Sequence, residues 1–306
     1  MQHRSSHGSA PPLVSIGLPV YNGRRHLAQA LNALLGQTFS NFEIIISDNA
    51  STDDTQALCQ EFVRADHRIR YLRQAKNVGA PRNWSFTVHE ARGQYFKWAS
   101  ANDYCSEDFV AECLQALLSE PRAVLSFGKT CLIEEETGLT TEYEGDIEVL
   151  DDRPHDRFKR VWSTLRLNNA QSGLIRLDVL RKTGLDRPYQ GGDLVLMAEL
   201  ALYGDFKRVP NVLLFRRVGA KSLSALLSPV ELQYFLDPDA APGTRSGLWK
   251  RHVDQIGAIL HAPIGMGEKL ACLRIAAHDA YWDRSRLAHD LSRRVLGRIG
   301  VSRNPD

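Results

Sequence analysis

Asn102 and Asp103 lie where a short apolar run ends, and their side chains are of the kind that can bind divalent metal ions. The run, residues 95–99, follows Gly93 and is typical of a buried strand. Ligands of open α/β sheets bind at the carboxyl ends of the strands. A carboxylate on such a turn can hold Mg²⁺ or Mn²⁺ against a substrate diphosphate. The alternative is a solvated turn, in which Asn and Asp are ordinary residues.

Strand and helix patterns alternate through the first part of the chain. Apolar runs predict five strands, and helical stripes of leucine, valine and aromatic residues separate them. The strands are predicted at residues 13–18, 43–47, 69–72, 95–99 and 123–127. This alternation predicts an α/β fold with a parallel, doubly wound sheet that is covered by helices on both faces.

The alternation changes after residue 128. A Thr- and Glu-rich stretch around Gly138 predicts a hairpin turn, and a helix, a strand and another helix follow. Two late strands are predicted at residues 206–209 and 212–215. From about residue 228 onward the pattern is mostly helical, and the last predicted helix, residues 282–299, carries arginines beside an apolar stripe.

Composition excludes several classes of protein. The 306 residues are 43% hydrophobic and 24% charged, as in an ordinary soluble domain. A formal net charge of +2 gives no electrostatic indication of nucleic-acid binding. No apolar run approaches the ~18 residues of a membrane span. Residues 1–12 lack the apolar core of a signal peptide and are expected to form a disordered tail.

Several well-known motifs are absent from the sequence. No GxGxxG or GxxxxGK[ST] follows the first strand, which argues against a dinucleotide fold and against a P-loop. No HExxH or CxxC spacing indicates a zinc site. The five cysteines cannot all pair with one another, which favours a reducing compartment.

The order of the remaining motifs resembles a family 2 glycosyltransferase of the GT-A fold. The resemblance covers residues 13–224, and it depends on motif order because each motif is weak alone. The motifs are PVYNG, SDNASTDDT, KNVG followed by PRNW, GQYFKWASANDY, GGDLVLMAELALYG and FRR. The resemblance implies an inverting enzyme that moves a sugar from a nucleoside-diphosphate sugar to an acceptor hydroxyl.

The resemblance also implies which residues bind the nucleotide. Pro19 and Tyr21 match positions that pack on the base, and Asp48 matches the acid that accepts the base imide N–H. A carboxylate only accepts hydrogen bonds, so the donor is expected to carry uracil or thymine. Asn77 and Arg82, together with the neighbouring Asn83, match a segment near the ribose and diphosphate. The alternatives are a turn carboxylate for Asp48, a core aromatic for Tyr21 and a solvated side chain for Arg82.

Asn102 and Asp103 fall where the family carries its metal motif. Asp103 matches the aspartate that binds Mn²⁺ or Mg²⁺, and the ion stabilises the departing nucleoside diphosphate. Asn102 replaces the usual aspartate; its amide oxygen can still accept a ribose hydroxyl or bind the metal, but it brings no charge. This replacement predicts a weaker metal site.

Asp193 matches the catalytic base of the family. An inverting transfer needs one carboxylate on the acceptor side, which takes the proton of the attacking hydroxyl. Asp193 also follows two glycines at the start of a predicted helix, so the alternative is a helix N-cap.

Arg216 and Arg217 match a late segment in which the family often has a histidine that completes the metal site. That position is Val218 in this chain, and valine cannot ligate a metal. Either arginine could instead face the diphosphate. The alternative is a surface pair on an edge strand.

These matches imply a nucleotide-binding half at residues 13–128, an acceptor half at 129–224 and a helical C-terminal region at 225–306. The protein is expected to be cytoplasmic and to act in cell-envelope biosynthesis. The last helix could touch the inner face of the membrane through its basic side or pack on the domain. Because of Asn102 and Val218, the alternative function is a weakly active or inactive nucleotide-sugar-binding protein.

Overall fold

The computed structural model describes residues 11–219, 227–240 and 247–288. The tail before residue 11, the predicted domain boundary at 224 and the end of the last predicted helix lie outside the described residues. The first part of the chain alternates strands and helices as predicted. Its elements are β1 (Val14–Val20), α1 (Leu27–Leu35), β2 (Phe42–Asp48), α2 (Thr55–Ala65), β3 (Ile69–Arg73), α3 (Ala80–Glu90) and β4 (Tyr95–Trp98).

β1 is a central strand of the sheet. It pairs in parallel with β2 on one side and with β4 on the other, and β3 extends the sheet beyond β2. Every residue of β1, β2 and β4 is buried, as expected for parallel strands covered on both faces. The carboxyl ends of these three strands therefore meet at one edge, where the turns that follow Val20, Asp48 and Trp98 lie.

The second part of the chain completes a mixed sheet. Its elements are β5 (Tyr104–Cys105), α4 (Phe109–Ser119), β6 (Ala123–Glu134), β7 (Thr140–Tyr143), α5 (Pro154–Thr164), β8 (Leu174–Arg176), α6 (Leu177–Leu180), α7 (Gly192–Tyr203) and β9 (Asp205–Val218). β8 lies antiparallel between β4 and β6, and β6 pairs in parallel with β9. The described strands follow the order β3-β2-β1-β4-β8-β6-β9-β5, with the β6–β7 hairpin turning at Gly138.

The prediction of two late strands is wrong. Asp205–Val218 is one strand that runs through Pro210, and its register against β6 shifts between Gly128 and Lys129. Pro210 and Asn211 are exposed at this irregularity, where the lost ladder hydrogen bond of proline is tolerated. β9 is also not an edge strand in the described sheet, because it pairs with β6 and with β5.

Two apolar clusters cover the two faces of the sheet. Ile44 and Ile46 point into one cluster with leucines of α1, and Ile45 points into the other with Val88 of α3. This alternation along β2 follows from the two-residue period of a strand. The sequence-predicted α/β sheet with helices on both faces is confirmed.

The described part of the C-terminal region is helical, as predicted. It comprises α8 (Pro229–Leu236), α9 (Leu248–His261) and α10 (Met266–Trp282). Ser228 begins α8 with a capping box, because its hydroxyl accepts from the Glu231 N–H and its own N–H donates to the Glu231 carboxylate. α9 packs on α7 and α10, and α10 packs on α5. Among the described residues, the helices are too short or too polar to cross a bilayer.

Candidate active site

The Asn102–Asp103 turn connects β4 to the short strand β5. The Ser100 hydroxyl accepts from the Asn102 N–H at 3.1 Å, which tightens the turn. Asp103 Oδ1 accepts the backbone N–H of Arg217 at 2.9 Å. Asn102 is exposed, whereas Asp103 is half-buried. Burial raises the pKa of the Asp103 carboxyl, and the Arg217 N–H and the Arg216 charge oppose that shift only partly.

Arg217 holds this turn with its side chain as well as with its backbone. Its guanidinium donates to the carbonyl oxygen of Asn102 and, at 2.5 Å, to Oε1 of Gln29, and it lies 5.5 Å from the centre of the Tyr104 ring. β5 pairs with β9 at Tyr104 and Phe215, which brings Arg217 to this position. The alternative of a free surface pair on an edge strand is wrong for this arginine.

Arg216 and Asp193 are linked by two consecutive asparagines. Arg216 donates to Oδ1 of Asn169 at 2.6 Å, and Nδ2 of Asn168 donates to Oδ2 of Asp193 at 3.2 Å. The predicted base and a cation beside Asp103 are therefore held by one short segment before β8. Nothing in the sequence indicated a role for these asparagines, because polar residues in loops are common.

Asp193 lies in the first turn of α7, and Gly191 is the N-cap. The alternative that Asp193 caps the helix is therefore wrong. Gly191 has a φ of 83°, which favours glycine, and a Cβ on Gly192 would come within 2.3 Å of the Arg187 carbonyl oxygen. The two glycines thus allow the tight loop that presents Asp193 at the N-terminus of α7.

Asp186 is a second carboxyl group near Asp193. Burial raises the pKa of Asp186 to about 7, and the charge of Asp193 adds to the shift. Asp186 lines a cavity of about 690 Å³ on the outer side of α3, together with Arg82 and His89. Its position could not be read from the sequence, because the loop before α7 has no regular period.

Asp48 is fully buried at the end of β2. Its Oδ2 accepts from the Tyr71 hydroxyl at 2.6 Å and from Arg73 at 2.5 Å, and its Oδ1 accepts the Ser51 N–H at 2.8 Å. Burial and the bond to Asp48 raise the pKa of Tyr71 to about 12. Asp48 thus has the contacts of a turn carboxylate, which was the alternative for it. A carboxylate has about four acceptor positions, so these three bonds leave room for one more donor.

A cavity of about 650 Å³ lies at the carboxyl ends of β1, β2 and β4. Five of the residues predicted to lie at the nucleotide line it, namely Pro19, Tyr21, Asn77, Asn83 and Asn102. Tyr21 is 44% exposed, so the alternative of a core aromatic is wrong. Asp48, Asp103, Asp193 and the two arginines are not among its lining residues. The structure therefore separates a nucleotide-sized cavity from a polar cluster around Asp103 and Arg216.

Side chains of α8 form the far wall of this cavity. Val230, Tyr234 and Phe235 line it opposite Trp84 of α3. Sequence reasoning missed this wall, because α8 lies far along the chain from α3 and outside the matched motifs.

Arg82 does not line this cavity. Its guanidinium donates to Asp237, just after α8, at 2.8 Å, and Lys76 pairs with Asp239 at 2.7 Å. Arg82 therefore anchors the segment that follows α8 instead of being free in solvent.

Asn77 and Asn49 hold the turn that begins α3. Asn49 donates to Oδ1 of Asn77 at 2.8 Å and accepts the Val78 N–H at 2.8 Å. Asn83 is buried, lines the same cavity and forms two hydrogen bonds with Ser47. These amides fix the shape of the cavity floor.

Residues 15–177, more than half of the chain, match the family model described as glycosyl transferase family 2. The chain belongs to this family. Glycosyltransferase GlyG of Streptococcus pneumoniae is 30% identical over 126 residues, which are 41% of this chain and 42% of GlyG. A Campylobacter jejuni family relative, GalNAc(5)-diNAcBac-PP-undecaprenol beta-1,3-glucosyltransferase, is 30% identical over 137 residues, which are 44% of this chain and 43% of that protein. The matches thus span less than half of either relative.

The fold of this family 2 chain is that of solved GT-A glycosyltransferases. S. aureus TarS in complex with UDP aligns with a TM-score of 0.60 at 16% identity, over 88% of this chain and 71% of that one. Identity at this level shows the fold alone. The predicted family and the GT-A fold are confirmed, and the roles of the individual site residues stay predictions.

The chemistry of Asp103 fits the divalent ion that the family resemblance implies. Asp103 Oδ1 accepts the Arg217 N–H, and an ionised carboxylate has about four acceptor positions, so the group can still bind a metal. Among the described residues, the group of three His, Cys, Asp or Glu side chains arranged for a metal lies on α9 and α10 and excludes Asp103. Mg²⁺ is commonly held by one or two carboxylates plus substrate phosphates. Asp103 can thus serve only as one ligand beside a bound diphosphate.

Proposed function

We propose that this protein is an inverting glycosyltransferase that moves a sugar from a nucleoside-diphosphate sugar to an acceptor hydroxyl. One observation carries the proposal: Asn168 and Asn169 connect Asp193, a base candidate, with Arg216, a cation beside Asp103. Inverting transfer needs a base on the acceptor side and positive charge on the leaving-group side. Family membership supports the same reaction class.

The donor nucleotide binds in the 650 Å³ cavity, with its base against Pro19 and Tyr21. The UDP bound by TarS, which shares this fold, supports a uracil nucleotide, and a dTDP-sugar has the same imide donor. Asp48 accepts that imide N–H with its remaining acceptor position after a local adjustment of Tyr71 or Arg73. Asn77 and Asn102 lie where ribose and phosphate oxygens follow the base.

Asp103, with Asn102 beside it, would hold Mn²⁺ or Mg²⁺ together with the diphosphate, and the ion would supply positive charge to the departing nucleoside diphosphate. Arg216 and Arg217 add guanidinium groups next to Asp103, and the geometry of a guanidinium suits phosphate oxygens. Arg217 also keeps the Asn102–Asp103 turn in place through its bonds to both residues.

Asp193 removes the proton from the acceptor hydroxyl as that oxygen attacks the anomeric carbon. The carbon–oxygen bond to the diphosphate breaks on the opposite face, so configuration inverts and no covalent enzyme intermediate forms. Asn168 orients the carboxylate through its bond to Oδ2. The other oxygen of Asp193 is then available to the acceptor.

The acceptor is a hydroxyl on a glycan or glycolipid of the cell envelope. The undecaprenol-linked name of the Campylobacter jejuni relative supports this acceptor class. Cytoplasmic location and contact with a membrane through the last basic helix stay predictions, since much of that helix lies outside the described residues.

A transfer assay with UDP- and dTDP-sugars tests the proposal. The wild type should release nucleoside diphosphate in the presence of Mn²⁺, and the product should have inverted anomeric configuration by proton NMR. Binding of the same donors without turnover over a range of acceptors would favour the alternative, an inactive nucleotide-sugar-binding protein. Absence of both binding and turnover would refute both functions.

A further inference from the structure

Two buried polar atoms face each other between α9 and α10 without a hydrogen-bond partner. Nδ1 of His252 and Oδ2 of Asp279 are 3.9 Å apart, which is too long for a hydrogen bond. His252 is 5% exposed. Buried polar atoms are nearly always satisfied, so an unpaired couple indicates a bound water or ion.

The hydrogen bond of the other ring nitrogen of His252 determines whether Nδ1 is a donor or an acceptor. Nε2 lies 3.2 Å from Oδ2 of Asp283 and donates its hydrogen to that carboxylate. In the neutral imidazole, Nδ1 is then an acceptor. Two acceptors, one of them anionic, therefore face each other, and a cation would satisfy both at once.

We propose that His252 Nδ1 and Asp279 Oδ2 bind a divalent cation of the Zn²⁺ type, with Asp283 orienting the imidazole. Zinc lies about 2.0–2.2 Å from nitrogen and carboxylate ligands, so two ligand atoms on one ion can be up to about 4.3 Å apart. The observed 3.9 Å is within this limit. At metal sites, a histidine that binds the metal through one ring nitrogen usually donates the N–H of the other to a carboxylate, a carbonyl or a water.

Neighbouring groups support this assignment. Gln255 follows His252 by three residues on α9, is 1% exposed, and has an amide oxygen and an amide nitrogen that both lack a partner among the described residues. Arg251 neutralises Asp283 at 2.6 Å but stays 3.8 Å from Asp279. Asp279 thus has the Arg251 charge within ion-pair distance, but its Oδ2 has no hydrogen-bond donor among the described residues.

The cation would join α9 to α10 behind the loop that leads to Asp193. Asp254 of α9 accepts from the Tyr189 hydroxyl at 2.6 Å and lies 3.4 Å from Arg187, so α9 supports that loop directly. The ion therefore has a structural role and does not touch the donor nucleotide.

The test measures Zn²⁺ and Co²⁺ binding to chelator-treated full-length protein without nucleotide. Calorimetry should give one equivalent of Zn²⁺, the melting temperature should rise, and Co²⁺ should give visible absorption bands. Asp279→Asn and His252→Gln should each lower the affinity by about 10-fold or more. Asp279 is partly exposed, so its variant should fold even if the His252 variant does not, and circular dichroism checks both.

His261→Gln is the matched control, because His261 is an exposed histidine at the end of the same helix. The control and Asp103→Ala should bind Zn²⁺ like the wild type. The proposal is overturned if the wild type binds no stoichiometric ion, which would mean that a water fills the gap. It is equally overturned if Asp279→Asn binds as tightly as the wild type.

Discussion

The carboxylate of Asp103 accepts the backbone N–H of Arg217 across 114 positions of sequence, at 2.9 Å. This bond, together with that of the Arg217 guanidinium to the Asn102 carbonyl, joins the turn after β4 to the end of β9. It also means that Asp103 has a structural partner as well as its predicted metal, so a test of its role must separate the two.

Asp103→Asn makes that separation. The amide oxygen can still accept from Arg217, so the melting temperature should change little, but the charge that attracts a metal is lost. Mn²⁺-dependent binding of UDP, measured by calorimetry, should largely disappear. Asp103→Ala should remove both the metal-dependent binding and the bond to Arg217. If UDP binding by Asp103→Asn depended on Mn²⁺ as strongly as UDP binding by the wild type, Asp103 would not be a metal ligand.

Asp193→Asn should lower turnover by roughly 10²–10⁴, the usual contribution of a positioned base. Asn keeps the size of the side chain and can still bond to Asn168, so donor affinity should barely change. Asp178→Asn is a control, because Asp178 is an exposed aspartate that pairs with Lys182 four positions further along the chain. A product with retained configuration would rule out the proposed mechanism even if Asp193 were essential.

Metal should bind poorly to the free protein and well only with a nucleoside diphosphate. Asn102 brings no charge, and Val218 at the end of β9 offers no ligand. Val218→His should tighten Mn²⁺ more than Mg²⁺, because imidazole suits the softer ion. Calorimetric titrations of both proteins, with and without UDP, compare the affinities. Tight Mn²⁺ binding at Asp103 without nucleotide, or no effect of the new histidine, would mean that the 215–218 segment is misaligned.

Asp186 should make stability depend on pH. Its pKa is raised from 3.8 in the unfolded chain to about 7 in the folded protein, chiefly by burial. The folded state therefore holds a proton that the unfolded state has lost between these values, and the free energy of unfolding falls as pH rises through this window. The Asp186→Asn side chain cannot ionise, so the variant escapes this loss. Its free energy of unfolding minus that of the wild type should therefore increase from pH 4.5 to pH 7.5. Denaturant unfolding at several pH values measures this. A constant difference would show that the Asp186 pKa is not raised.

Arg82 and Asp237 should act as a pair that holds the segment after α8 at the cavity. Arg82→Ala and Asp237→Ala should each weaken uridine and UDP binding by similar factors, and the double variant should be little worse than either. The pair is partly exposed, so its coupling should be about 0.2–1 kcal/mol. If Arg82 instead contacted phosphate, its variant would weaken UDP binding and leave uridine binding unchanged.

The sequence alone determined the strand and helix pattern of the first part of the chain, the GT-A resemblance and the residues after each strand. These follow from local information, because apolar periodicity and turn residues are written into neighbouring positions. The strands predicted to start at residues 13, 43, 69, 95 and 123 all begin within one residue of those positions. Among the cavity residues, Asn102 was predicted from its place after a strand and from the family resemblance, whereas Pro19, Tyr21 and Asn77 were predicted from the resemblance alone.

Only the tertiary structure decided which distant groups become partners. Antiparallel β8 lies between β4 and β6, and side chains of α8 form one wall of the cavity. Tyr71 and Arg73 both donate hydrogen bonds to the carboxylate of Asp48. The same holds for Asn168 beside Asp193 and for the unpaired His252 and Asp279. Such contacts depend on how elements far apart in the chain pack against each other, and burial in that packing sets the charge of groups such as Asp186. A local sequence pattern holds no information about the packing of distant elements or about the burial that results from it.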